Sequence, residues 1–183
     1  MKYFRLTDDL HDRWFLRDLV LPESDSIWRY LTTGKIDSVP YNLSIDATPD
    51  GDIVDFTFAE FDLIIVNEKC KQLFPSGEVD FFPILITGRE THGGQFYVMT
   101  IREGIDCLDE NNSSFDFFLP DDPIRPDLAG EYRGIYNLKI DTHKTGEAEI
   151  FRMQKYEVAV IVNEKLKNRL RKNYISGIRF LEV

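Results

Sequence analysis

The chain is poor in the residues that most enzyme chemistry needs. Of its 183 residues, 2 are cysteine and 3 are histidine. Cys70 and Cys107 form no CxxC pair and have no metal-ligand spacing, so they supply no disulfide framework and fit a reducing compartment. His11, His92 and His143 are scattered: one near acidic residues, one beside Gly93 and Gly94, one in an expected turn. No two share a ligand motif. There is no GxSxG elbow, no P-loop and no GxGxxG fingerprint. No apolar run approaches the roughly 20 residues that a membrane span needs. The start, "MKYFRLTDDL", lacks the apolar core and small-residue cleavage site of a signal peptide. These absences point to a cytoplasmic protein without cofactor or metal.

Positive charge is also scarce, and its distribution is uneven. The net charge is −10. Residues 1–40 hold 6 basic and 7 acidic side chains, residues 41–127 hold 5 and 18, and residues 128–183 hold 11 and 7. The middle of the chain therefore carries the acid. Such a balance disfavours binding to a phosphate backbone and favours either a basic partner or simple solubility.

What is abundant is aromatic and β-branched. Hydrophobic residues make up 43% of the chain, with 14 Phe and 8 Tyr, a composition suited to half-buried pleated surfaces. The length suits one domain with a real core. Within it the pentapeptide "IVNEK" occurs at Ile65–Lys69 and again at Ile161–Lys165, and its flanks repeat too. "YNLSID" (Tyr41–Asp46) matches "YNLKID" (Tyr136–Asp141) in five of six positions, Gly51 aligns with Gly146, and "SGEVDFFPI" resembles "SGIRFLEV". Self-similarity at a nearly fixed spacing points to a duplicated supersecondary element, about 41–84 and 136–183, within a single domain.

Each copy reads as strand, turn, strand, helix, strand. "YNLSI" and "YNLKI" alternate as strands do, and Gly51 and Gly146 provide positive φ for a following hairpin turn. "LIIV" and "VAVIV" read as buried strands. Asn67 and Asn163 then supply a side-chain acceptor for an orphan helix N–H, and Glu68 and Glu164 sit at the positive helix end. The expected fold is α+β: mainly antiparallel strands, short helices after Asn67 and Asn163, and a third around Ser26 to Leu31. Cys70 falls opposite Leu166 on one helical face and reads as a small core residue rather than a reactive thiol. Lys165, Lys167, Arg169, Arg171 and Lys172 surround the second helix without an aromatic platform, which reads as a solvated helix face and not a nucleic-acid site.

Other candidates for chemistry fail on spacing. "DATPDGDI" has the start of a calcium loop, but Thr57 stands where a bidentate Glu is required. Asp8, Asp9, His11 and Asp12 are acidic enough to attract a cation, yet read more simply as an exposed turn. Acid pairs such as Asp106 with Asp109, or Asp121 with Asp122, do not by themselves select a general acid.

Several segments in order resemble a known family. They are "MKYFRLTDDLHDRWFLRDL" with its Arg13–Trp14 pair and Leu16, "VDFTFAEFDLIIVNEKCKQLF" followed by "VDFFPILI", "FYVMTIREGIDCLDENNSSF", and "IFRMQKYEVAVIVNEKLKNRL" with "SGIRF". Together they span nearly the whole chain and are similar to polymorphic-toxin immunity family eleven, formerly a domain of unknown function. Asn67 and Asn163 depart from the Ser often found there, a change between two good N-caps. The resemblance implies a non-catalytic cytoplasmic protein that binds and blocks a cognate toxin domain, and it carries over no catalytic residue. On that footing the acids of the central segment, Asp106, Asp109, Glu110, Asp116, Asp121 and Asp122, are the candidates for the toxin interface. Two other readings remain open: a regulatory binder using a cleft between the repeats, and an enzyme whose site would show converging carboxylates or a histidine in a pocket.

Overall fold

Apolar runs with no polar alternation need cover on both faces, and in this molecule they receive it. The structure is a computed structural model that describes residues 1–23, 25–37, 42–91 and 94–183. Tyr41, expected to open a strand, and His92 lie outside the described residues. Along the chain run β1 (Tyr3–Asp8), β2 (Leu16–Val20), α1 (Trp28–Leu31), β3 (Ser44–Ala47), β4 (Phe56–Phe58), β5 (Ile64–Asn67), α2 (Glu68–Lys71), β6 (Val79–Thr87) and β7 (Phe96–Ile101). They continue with β8 (Gly104–Ile105), β9 (Ser114–Phe117), β10 (Tyr132–Asn137), β11 (Ile150–Met153), β12 (Tyr156–Asn163), α3 (Glu164–Lys172) and β13 (Ile178–Glu182). Single 3-10 turns occupy Glu60–Asp62 and Pro126–Leu128.

Among the described residues the strands form three sheets: β2-β3-β6-β7-β5-β4, β13-β1-β12-β11-β8, and a two-stranded ribbon of β9 and β10. Pairing is antiparallel except for β3 with β6 and β11 with β8. The α+β class with mainly antiparallel strands is thus what the chain adopts. Ile64 and Val66 of β5 meet Val160 and Val162 of β12 in a central core that also takes Cys70 of α2, Phe74 just after it, and Leu166 and Leu170 of α3. The other face of the six-stranded sheet packs Leu63 and Ile65 under Trp14 and Tyr30. The other face of the five-stranded sheet packs Ala159 and Ile161 under Cys107, Leu108, Tyr132 and Ile135. The ribbon is therefore an outer layer of the molecule.

Both "IVNEK" stretches are a strand end, a cap and a first helical turn. The Asn67 side chain accepts from Cys70 N at 2.9 Å and that of Asn163 from Leu166 N at 3.0 Å. The surroundings also match. Asn67 N donates to Asp55 O and Asn163 N to Glu149 O, while Glu68 N donates to Gln95 O and Glu164 N to Lys2 O. β5 is flanked by β4 and β7, β12 by β11 and β1, and in each case the outer neighbour of β7 or β1 is the strand after the helix, β6 or β13. Each four-stranded group therefore draws one strand, β7 or β1, from outside the segment that repeats in sequence.

The expected strand before each glycine turn does not form part of this pattern. β3 pairs with β2 and β6, so it makes no hairpin with β4. Its loop instead lies on residues 12–15, with Trp14 N donating to Asp52 O at 3.0 Å and Thr48 N to Phe15 O at 2.9 Å. Gly51 does have positive φ, but a Cβ there would lie 2.4 Å from the Arg13 carbonyl carbon, so close approach to another segment is what requires glycine. In the second copy Tyr136 and Asn137 belong to β10 in the ribbon, and Ile140 makes an isolated bridge to Leu108.

Polar contacts brace the two groups. Asp55, ahead of β4, accepts from Ser176 N (2.9 Å), Ser176 Oγ (3.1 Å), Asn67 Nδ2 (2.8 Å) and Lys69 Nζ (2.9 Å). On the opposite side Glu78 Oε2 accepts from Glu149 N and Ile150 N, both at 2.8 Å, ahead of β11. Arg13 is also structural: it is buried, ion-paired with Asp8 at 2.7 Å and bonded to Thr57 Oγ1, joining the end of β1 to β4.

Candidate interaction surface

The ribbon begins as alternation. In "SFDF" the period of two places Phe115 and Phe117 on one face, where their rings meet edge to face at 5.2 Å and both pack on Tyr132, the Phe117–Tyr132 pair being stacked at 4.8 Å. Asp116 accepts from Tyr136 Oη at 2.7 Å, so a carboxylate is held beside an exposed phenol. That bond raises the Tyr136 pKa, which keeps the hydroxyl protonated. The Pro-flanked loop after β9 folds back through Asp122, whose carboxylate accepts from Ile124 N (3.0 Å), Arg125 N (2.8 Å) and Arg133 Nη1 (3.4 Å).

These pieces enclose a concave surface of about 830 Å³ lined by Phe117, Leu119, Tyr136, Asp116, Asp121 and Asp122, among others. Tyr136 is 75% exposed, Leu119 59% and Phe117 39%. An acidic rim around exposed aromatic and aliphatic groups has the composition of a protein interface, in which aromatics supply affinity and charge supplies selectivity.

The structure brings three of the six candidate acids together here and places the others apart. Asp116, Asp121 and Asp122 share the concavity. Asp106 pairs with Lys155 at 2.6 Å, and Glu110 accepts from Tyr132 Oη at 2.8 Å. Asp109 ties its own turn by accepting from Asn112 Nδ2 (2.7 Å), Asn111 N and Asn112 N, which holds its carboxyl below the usual range. Asp122 is a turn-forming residue rather than a free surface charge: its side chain is 7% exposed, and the N–H groups of Arg125 and Ile124 hold its pKa down. The Asp121 side chain has no partner among the described residues. Of the six candidates, Asp106 and Asp122 are ion-paired, while Asp109, Glu110, Asp116 and Asp121 make no ion pair among the described residues. The apolar members of the surface escape a sequence reading because exposure of Leu119 and Tyr136 depends on a fold-back with no periodic signal.

None of this is arranged as a general acid–base pair. Asp122 is held as an anion by backbone donors, whereas a general acid needs a raised pKa. Asp9, His11 and Asp52 line a separate cavity of about 420 Å³. Among the described residues no group of three or more His, Cys, Asp or Glu stands ready to hold a metal. Cys70 and Cys107 are buried, and burial pushes both thiols up, Cys107 to about 12, so neither is a ready nucleophile. On α3, Lys167 lies over the Phe4 ring, Arg171 over Phe180, and Arg169 bonds to Glu149 and the Leu73 carbonyl. These cations are engaged within the chain. No helix among the described residues is long and apolar enough to cross a membrane.

Comparison with curated proteins returns no match. The model of the immunity protein family (Imm11) matches residues 12–183, from the Asp12–Arg13–Trp14 stretch that packs on the Gly51 loop to the last residue of the chain. That span takes in both capped strand-to-helix junctions, the ribbon and its acidic concavity, and on it the chain belongs to the immunity protein family.

Proposed function

We propose that the protein binds a cognate bacterial polymorphic-toxin domain in the cytoplasm of the producing cell and neutralises it by occlusion, without catalysis or cofactor. Family membership supports an immunity role. The observation that carries the binding reading is the ribbon concavity, where exposed Phe117, Leu119 and Tyr136 stand beside Asp116 and Asp121. A basic toxin surface is the complement of such a face. Its approach is steered by the central acids, and the aromatic groups, once desolvated, slow its release.

Stopped-flow association with the purified cognate toxin domain at low and high salt tests this reading. Steering predicts that added salt slows association while dissociation changes less. Association rates independent of salt would remove the acidic face from the account.

A further inference from the structure

A second surface joins the two sheet groups, and its polar lining is incomplete. Trp28, Leu31, Phe61 and Val158 line an apolar cleft of about 220 Å³ together with Arg152. Trp28 is 63% exposed, Phe61 66% and Val158 45%, a cluster of large apolar groups left open to solvent. Arg152 is 1% exposed, and only its Nη1 is engaged, donating to the Glu157 carbonyl. Among the described residues Nε and Nη2, the side-on edge of the guanidinium, have no hydrogen-bond partner.

That edge is costly to keep. A buried donor without an acceptor loses its hydration and recovers nothing. Phe61 and Asp62 also hold φ of 58° and 60°, the left-handed region that non-glycine residues avoid, and there Phe61 is displayed at the cleft mouth. Unpaired buried donors, strained backbone and exposed aromatics in one place mark a site whose partner completes it.

We propose that this cleft receives an apolar side chain of the toxin domain and that a main-chain carbonyl of the same toxin segment accepts from Arg152 Nε and Nη2. The inference rests on the toxin-binding reading above and adds a second contact to it. Charge selects a neutral acceptor: Asp62 and Glu157 already line the cleft beside the single guanidinium, so a third carboxylate would meet net repulsion. The four walls suit an aliphatic or aromatic anchor, and a carbonyl next to it satisfies the fork without added charge.

The test measures stability of the free protein and affinity for the purified cognate toxin domain, for wild type, Arg152→Met and Trp28→Ala. Methionine keeps much of the volume and removes the orphaned donors, so Arg152→Met should melt at or above the wild-type Tm, as replacement of a poorly compensated buried charge often does. It should also weaken binding by about tenfold or more, through faster dissociation that salt does not modulate. Trp28→Ala removes an exposed side chain, should fold normally, and should weaken binding by about thirtyfold. Wild-type affinity in both variants overturns the proposal, as does a Tm of Arg152→Met well below wild type, which would make the guanidinium a group that holds the fold. If wild type itself fails to bind the toxin domain, the immunity reading fails with it, an outcome distinct from tight binding that ignores the cleft.

Discussion

Replacing Asp55 with asparagine tests how the two sheet groups hold together. The Asp55 carboxylate is 14% exposed and takes four donors, from Ser176 N, Ser176 Oγ, Asn67 Nδ2 and Lys69 Nζ. The Lys69 contribution is small, because that side chain is 51% exposed and its charge is screened. The other three are bonds to a charged acceptor, each worth about 1.5 kcal/mol or more, of which an amide oxygen retains part. Asp55→Asn should therefore cost about 2–4 kcal/mol at pH 7, or roughly 4–16 °C in Tm for a chain of this length. Burial alone would raise the Asp55 pKa, but the Ser176 N–H, Lys69 and Asn67 outweigh it and the net shift is downward. A depressed carboxylate pKa contributes stability that is present above the unfolded value, about 3.9, and is lost as pH falls through the folded one. Urea unfolding followed by tryptophan fluorescence at pH 7 and between pH 5 and 2.5 reads both effects. Wild type and variant should differ most at neutral pH and converge below about pH 4. Equal midpoints at pH 7, or a difference that persists unchanged into acid, would refute the assignment of Asp55 as the brace.

The caps, a close approach and the ribbon give further outcomes. Asn67→Ala and Asn163→Ala should each cost about 0.5–2 kcal/mol in urea unfolding, with Asn163→Ala the more severe because Asn163 is fully buried and starts the longer helix. Gly177→Ala should cost about 2–6 kcal/mol and show as loss of soluble expression, since φ there is 88° and a Cβ would stand 2.0 Å from the Phe56 carbonyl oxygen. Asp121→Lys should leave the Tm unchanged and lower the association rate with toxin. Asp122→Lys should lower the Tm, because that carboxylate holds Ile124 N and Arg125 N in the turn.

Local interactions were the readable part of the fold. The Asn67 and Asn163 caps are bonds across three residues, and β5 and β12 are continuous apolar runs, so pattern and position suffice to place them. The partner of a strand is a different matter. Gly51 has the positive φ expected of it, yet its loop lies on residues 12–15, and β1 and β7 enter the two groups from outside the repeated segments. Nothing local selects such pairings, because they are decided by which apolar faces remain to be covered. Duplication is our proposal for the matched caps and strand orders, although the segments before the two glycine turns pair differently. At the surface, all six acids look alike in sequence, while the fold uses Asp109 and Asp122 to close turns and leaves Asp121 free. Arg152 had a readable signal: it follows Ile150 by two residues and so shares its core-facing side of β11.

The most direct test of the central claim is survival of cells that express the cognate toxin domain together with this protein, read alongside copurification of the two chains. The account predicts growth and a stable complex with wild type. It also predicts loss of protection when Asp116, Asp121 and Tyr136 are replaced together by Lys, Lys and Ala in a variant whose Tm matches wild type. Cells that die despite folded wild-type protein, or full protection by the triple variant, would contradict it.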